Sequence, residues 1–229
     1  LQPDDLNAPF IYKNWLARKE EKPSLGMFEF PLLSDGFVVD ELLMDFGPYQ
    51  FANVLMPTNQ CGLVQPTLVL RFTFHIQPRG FWSKTGRRRI DNFQGGRPID
   101  EISALASLAL GIRFRAGDVS RRFSEDGDPY GTPAASGNPR DPVLLRGSEG
   151  LILPSACDSY YRRVSIRDLK PLGLLPRLQP SAVIALLRAA RPYQDSLWIV
   201  ESEPSLAWVM LVSAVETAAP HWARDDSDS

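Results

Sequence analysis

The side chains best equipped for chemistry in this 229-residue chain are the cations of KTGRRR, residues 84–89. Arginine presents a planar fork of N–H donors that matches a phosphate at two points, and lysine adds a compact charge. Lys84, Arg87, Arg88 and Arg89, with Arg97 beyond them, form a candidate anion-binding tract. Phe81, Trp82 and Phe93 interleave rings suited to base stacking or cation–π contact. The tract leads into a predicted helix at 98, whose first N–H groups favour an anion. The same residues also fit a plainer reading: an exposed turn kept soluble by arginines, beside ordinary core aromatics.

Other chemistries lack their patterns. A P-loop would need glycine at 78 and 83, where Pro78 and Ser83 stand. There is no GxGxxG and no GxSxG, and the RGSEG around Ser148 lacks the elbow spacing. His75 and His221 are the only histidines, and neither has a second His or Cys at metal-ligand spacing. No metal site and no cofactor is therefore expected. Glu125, Asp126 and Asp128 lack the spacing of a calcium loop and read as a solvated tip. His75 falls on the second face of a predicted strand and reads as a half-buried structural residue. Nothing raises a Ser–His–Asp triad above background, although its members need not be near in sequence.

Apolar residues make up 44% of the chain and charged residues 23%, as in soluble globular proteins. The net charge of −2 gives no overall attraction to nucleic acid. Cys61 and Cys157 form neither a disulfide framework nor a CxxC pair, which suits a reducing, cytoplasmic setting. No N-terminal apolar h-region is visible, and the first methionine is Met27, so a trimmed piece of a longer product is expected. Charge is unevenly spread. Residues 1–45 carry four bases and nine acids, net −5; residues 71–122 carry eleven bases and four acids, net +7. Such asymmetry points to an anionic partner, or to the acidic N-terminal segment packing beside the basic one.

The elements that must position these groups follow from periodicity. MFEFPLL (27–33), GFVVDEL (36–42) and QFANVLM (50–56) read as strands. TLVLRFTFHI (67–76) is the strongest, with Leu68, Leu70, Phe72, Phe74 and Ile76 on one face. PIDEISALASLALG (98–111) reads as a helix with Ile99, Ile102, Leu105, Ala106, Ala109 and Leu110 on one stripe and Gly111 as its stop. IRFR (112–115) and VSRRF (119–123) return to strand. Residues 124–142, rich in Gly, Pro, Asp and Ser, read as a long mobile or functional loop. LKPLGLLPRLQP (169–180) reads as a proline-rich linker, followed by helices at 181–190, 193–202 and from 204. The expected fold is α+β: a strand-rich domain over 1–168 with one packed helix, then a helical segment over 181–229. No apolar run reaches the length of a membrane span.

SLWIVESEPSLAWVMLVSAVETAA (196–219) combines a helix ending in an aromatic–apolar run, a short acidic break before proline, and a helix carrying Ser213-Ala214-Val215-Glu216. This resembles the opening helices of bacterial HEPN-type domains, over about residues 181–219. The resemblance implies the start of a small helical bundle and a sensing or binding region in a phage-defence-type protein, with RNA or another anionic ligand. Alternatives are a domain for a small phosphorylated molecule, enzymatic or purely binding, and an assembly scaffold. The family's Arg-x4–6-His signature is absent from this chain, so no catalytic residue is carried over.

The last helix poses a packing problem. From Ser205 to Ala219 only Glu216 is charged. At 100° per residue, Leu206, Val209, Met210 and Ser213 fall on one side and Trp208, Leu211, Val212 and Val215 around the other. Burial on both sides is expected, with Trp208, Leu211, Val212 and Val215 closed by a second copy of the chain or by a C-terminal domain beyond it.

Overall fold

The computed structural model describes residues 8–43, 47–54, 64–77, 97–123, 130–133 and 164–222, the last without its Trp222 side chain. Alternation along β4 (Gln65–Phe74) buries Leu68, Leu70, Phe72 and Phe74, as the period of two requires. β1 (Gly26–Ser34) pairs with it antiparallel, setting Phe30 opposite Leu70 and Phe28 opposite Phe72. β3 (Tyr49–Asn53) lies on the far side of β4. The other edge of β1 is shared by β5 (Arg115–Ala116) and β6 (Arg121–Phe123), and β7 (Thr132–Pro133) pairs with β6.

Pro31 stands inside this central strand without breaking the sheet. Its carbonyl accepts the Gly117 N–H at 2.8 Å, so its nitrogen faces the same edge. That position falls between Met27–Glu29, which pair with β6, and Leu32–Leu33, which pair with β5. No ladder N–H is needed there. Gly117 permits the approach, because a Cβ would sit 2.8 Å from Pro31 Cγ.

Helices cover the sheet. α1 (Phe10–Lys19) has no counterpart among the expected elements. It is held by Asn14, which is fully buried. Asn14 Nδ2 donates to the Thr73 carbonyl at 2.9 Å and its Oδ1 accepts the His75 N–H at 2.7 Å. Tyr49 Oη donates to the Ile11 carbonyl at 2.7 Å. α2 (Pro98–Leu110) buries its predicted stripe except Ala109, which is exposed, and its C-cap is Gly111, whose N–H reaches the Ser107 carbonyl.

Several segments differ from expectation. Of residues 36–42 only β2 (Val38–Val39) is strand, pairing parallel with β8 (Val164–Ser165), while Leu42 bridges Phe51. The stretch expected as a linker is largely a 3-10 helix, Ile166–Arg177, which buries Ile166, Leu169, Leu172 and Leu175 at three-residue spacing. Residues from both sides of it, Ala8 to Ala190, belong to a single core cluster. The helices expected at 181–190 and 193–202 are one, α3 (Pro180–Ile199), which runs through Pro192. An interior proline costs about 3 kcal/mol; burial of Ala189, Ala190, Gln194 and Leu197 around it holds the helix together. α4 (Pro204–Trp222) follows. The architecture is α+β. Of the loop 124–142, residues 130–133 are described; the rest lies outside the described residues.

One buried charge ties the two halves. Arg113 is 2% exposed and sits between α2 and β5. Its Nε is 3.4 Å from Asp35 Oδ1 and its Nη2 is 2.8 Å from Glu201 Oε1. Next to it the Phe114 carbonyl accepts from Gln194 Nε2 at 2.6 Å and Trp198 Nε1 at 3.1 Å. The β1–β2 turn, the strand entry at 113–114 and the α3–α4 turn thus meet at one point. Removing one member of such a group strands the others without solvent. Arg113→Ala should lower unfolding stability by about 3–5 kcal/mol in a urea titration. The triple replacement Arg113→Met, Asp35→Leu, Glu201→Leu should recover most of that loss.

Candidate functional site

α4 is the element whose surroundings do not match its composition. It packs along α3, to which the turn at 200–203 joins it. The side it buries is narrow: Ala207 is 1% and Ala214 7% exposed, with Met210 and Leu211 half-buried between them. Alanines at this spacing let two helix backbones come close. The large residues are left outside. Trp208 is 67% exposed, Val215 63% and Val209 61%, and Leu206 and Val212 are exposed as well.

The expected division of this helix is therefore corrected in part. Leu206 and Val209 are exposed, because the seam selects small side chains over large ones. Among the described residues the helix is covered on one side. Of the four expected interface residues, Trp208, Val212 and Val215 lie on the open surface and Leu211 is half-buried at the margin of the seam. A Val or Trp side chain left in water forgoes about 1.5–3 kcal/mol of burial. With no Lys or Arg between 204 and 222, the face offers nothing to phosphates or to a lipid headgroup.

The candidate anion tract fares differently. Lys84, Arg87, Arg88, Arg89, Phe81, Trp82 and Phe93 lie outside the described residues. Arg97 is described and is engaged by its own chain. Its Nη2 is 3.2 Å from Asp100 Oδ1 and its Nη1 is 3.0 Å from Asp118 Oδ1. Burial works to lower its pKa, but the hydrogen bonds and charges of Asp100 and Asp118 outweigh it and raise the pKa. The α2 N-terminus is likewise served from within, since Asp100 Oδ2 accepts the Arg97 N–H at 2.9 Å.

The described arginines of the basic segment share this pattern. Glu29 meets Arg71 at 2.7 Å and Arg121 at 3.7 Å, and Asp35 and Glu201 hold Arg113. Arg115 lies 3.7 Å from Asp195 and over the Trp198 ring, and Arg122 lies over Phe28. Glu29 and Asp35 belong to the acidic N-terminal segment, so that segment neutralises Arg71, Arg113 and Arg121 of the basic one. His75 is half-buried, with Nδ1 2.8 Å from the Lys22 carbonyl.

Sequence reasoning passed over one buried titratable group. Glu101 lies in the first turn of α2, where an acid reads simply as a complement to the helix dipole. It is 4% exposed, and its Oε2 has no hydrogen-bond partner among the described residues. Burial raises its pKa to about 7, against the pull of a backbone hydrogen bond at Ile11 and the charges of Arg191 and Lys13. Nearby Tyr49, fully buried, has its pKa raised well above 10, again by burial first. A signal was available: Glu101 is next to Ile102 and four before Leu105, on the flank of the buried stripe.

No helix among the described residues is long and apolar enough to cross a membrane. Among them, too, no three His, Cys, Asp or Glu side chains group as metal ligands. Comparison of the chain with protein-family models, with curated proteins and with solved structures finds no match.

The Glu101 shift has a definite sign. The folded state holds its proton more tightly than the unfolded chain, whose glutamate titrates near 4.5. The stability this group contributes is complete below pH 4.5 and is lost as pH rises through the folded value of about 7. Glu101→Gln should remove that dependence, leaving the variant more stable than wild type at pH 8 by a few kcal/mol, on the order of 3. Thermal melts of both proteins at pH 5 and pH 8 measure it; parallel pH dependence in the two would contradict it.

Proposed function

We propose that this chain is a non-catalytic interaction module that assembles with a second copy of itself through α4. The observation that carries this reading is the open apolar face of Trp208, Val209, Val212 and Val215 on a helix covered along one side. A protein surface is the partner of matching chemistry, since Glu216 is the only acid on the helix and it bears no lysine or arginine.

The arrangement of residues favours a second copy. Ser205, Trp208, Val212, Val215 and Ala219 recur at alternating spacings of three and four, the pattern of a coiled-coil seam. The sequence is also near-symmetric about Val212. Val209 and Val215 lie equally far to either side, as do the small residues Ser205 and Ala219. An antiparallel two-fold pairing sets Val212 on Val212 and Val209 on Val215. It also brings Trp208 beside Glu216 of the partner subunit, whose carboxylate accepts the indole N–H, with Ala219 leaving room for the ring.

A helix of this length presents a face about 28 Å long. One such pair falls at the low end of stable interfaces, so the dimer should dissociate on the order of 1–100 µM. Sedimentation velocity across that range should show a monomer–dimer equilibrium, and Val212→Asp should hold the chain monomeric with its circular dichroism unchanged. A chain monomeric throughout would overturn the reading.

The resemblance of residues 181–219 to HEPN bundle helices supplies the setting we propose: a cytoplasmic sensing region of a bacterial phage-defence-type protein, with RNA or another polyanion as its ligand. Its supports are that sequence pattern and the basic tract at 84–89. Replacing Arg87, Arg88 and Arg89 by Ala should weaken binding to single-stranded RNA and heparin. It should also flatten the salt dependence by about 0.7–0.9 for each phosphate no longer neutralised. An unchanged titration would remove the polyanion and leave the assembly standing.

A further inference from the structure

The C-terminal end of α1 and the 3-10 helix face each other across a cleft of about 960 Å³. Arg18 and Lys19 line it from α1, and Arg167 and Lys170 from the 3-10 helix. Among the described residues of its lining Glu41 is the one carboxylate, and it already accepts the Asn53 N–H at 3.3 Å. Leu42, Leu43 and Trp15 supply the apolar wall.

Arg18, Lys19 and Lys170 make no ion pair among the described residues, and Arg167 stands 4.0 Å from Asp40. Basic residues in a last helical turn commonly satisfy its free carbonyls. Here those carbonyls are taken by the backbone: Leu16, Ala17 and Arg18 accept from Glu20, Lys22 and Glu21 at 2.9–3.0 Å. Of the nearby acids, Glu20 meets Lys22 at 2.6 Å and Asp40 accepts from Ser165 Oγ at 2.7 Å. The wall itself is built to fit. Gly47 has φ +114° and lies flat on the Trp15 ring, where a Cβ would approach to 2.6 Å.

We propose that this cleft binds a small phosphorylated molecule. Phosphate oxygens lie between Arg18 and Lys19 on one side and Arg167 and Lys170 on the other, and a planar or apolar portion lies against Leu42, Leu43 and the Trp15 edge. The volume is that of a site for a ligand of nucleotide size. Four cations against one engaged carboxylate select for more than one negative charge. The inference does not depend on assembly through α4, which lies on other elements.

Isothermal titration of the full chain with inorganic pyrophosphate and with ATP tests it. Both should bind, ATP more tightly. Arg18→Gln and Lys170→Gln should each weaken binding by about tenfold or more, the effect of losing one charge-assisted hydrogen bond. Because neither side chain is ion-paired among the described residues, the melting temperature of both variants should match wild type. The absence of heat with either probe would overturn the proposal. So would binding that survives the double variant but disappears when Arg87, Arg88 and Arg89 are replaced.

Discussion

A single guanidinium, that of Arg113, sets the relation between sheet and helices. Its carboxylate partners come from residue 35 and residue 201, at opposite ends of the chain. A charge this deeply buried is tolerated only when its partners arrive together. The fold must therefore bring the β1–β2 turn and the α3–α4 turn to the same place in the same state. The adjacent Phe114 carbonyl, shared by Gln194 and Trp198, fixes the direction of α3 as it leaves that point. Apolar contacts supply most of the driving force for collapse, but they are non-directional. The ion pairs and these two hydrogen bonds decide which way the last two helices run.

The same economy governs charge elsewhere. The described arginines of the basic segment meet Glu29, Asp35, Asp100, Asp118, Asp195 and Glu201, or lie over aromatic rings. Among the described residues, charge that looks one-sided in the linear sequence is met by a partner in space. Two surfaces of the described residues stand apart: a cleft where four cations face one another, and a helix face with almost no charge. The two surfaces suit different partners, one anionic and small, the other apolar and extended.

The α+β class and the main strands were legible because period-two alternation in residues 67–76 and the helical stripe at 98–110 are strong local signals. α1 was not: its buried side mixes Ile11, Tyr12 and Trp15 with the polar Asn14, whose partners Tyr49, Thr73 and His75 are distant in sequence. The 3-10 helix was masked by Pro171 and Pro176, which read as breaks although three-residue turns accommodate them. Pro192 misled in the same way, since tertiary burial outweighs the local cost of a proline in α3. At the candidate sites, an all-round apolar helix announced α4, whereas the choice of its seam depended on side-chain size. The cleft joins residues 15–19 to 167–173, and no local pattern reports a juxtaposition of that range.

The seam between α3 and α4 has a consequence for exchange between copies. On the α4 side the residues it fully buries are Ala207 and Ala214, so the large side chains of α4 play little part in holding it. A helix joined to its neighbour by a short turn and apolar on its outer face is the arrangement from which domain-swapped oligomers grow. The turn that would have to straighten contains Glu201, and Glu201 is fastened to Arg113. That ion pair acts as a latch on the hinge: it keeps α4 on its own chain while leaving its outer surface open.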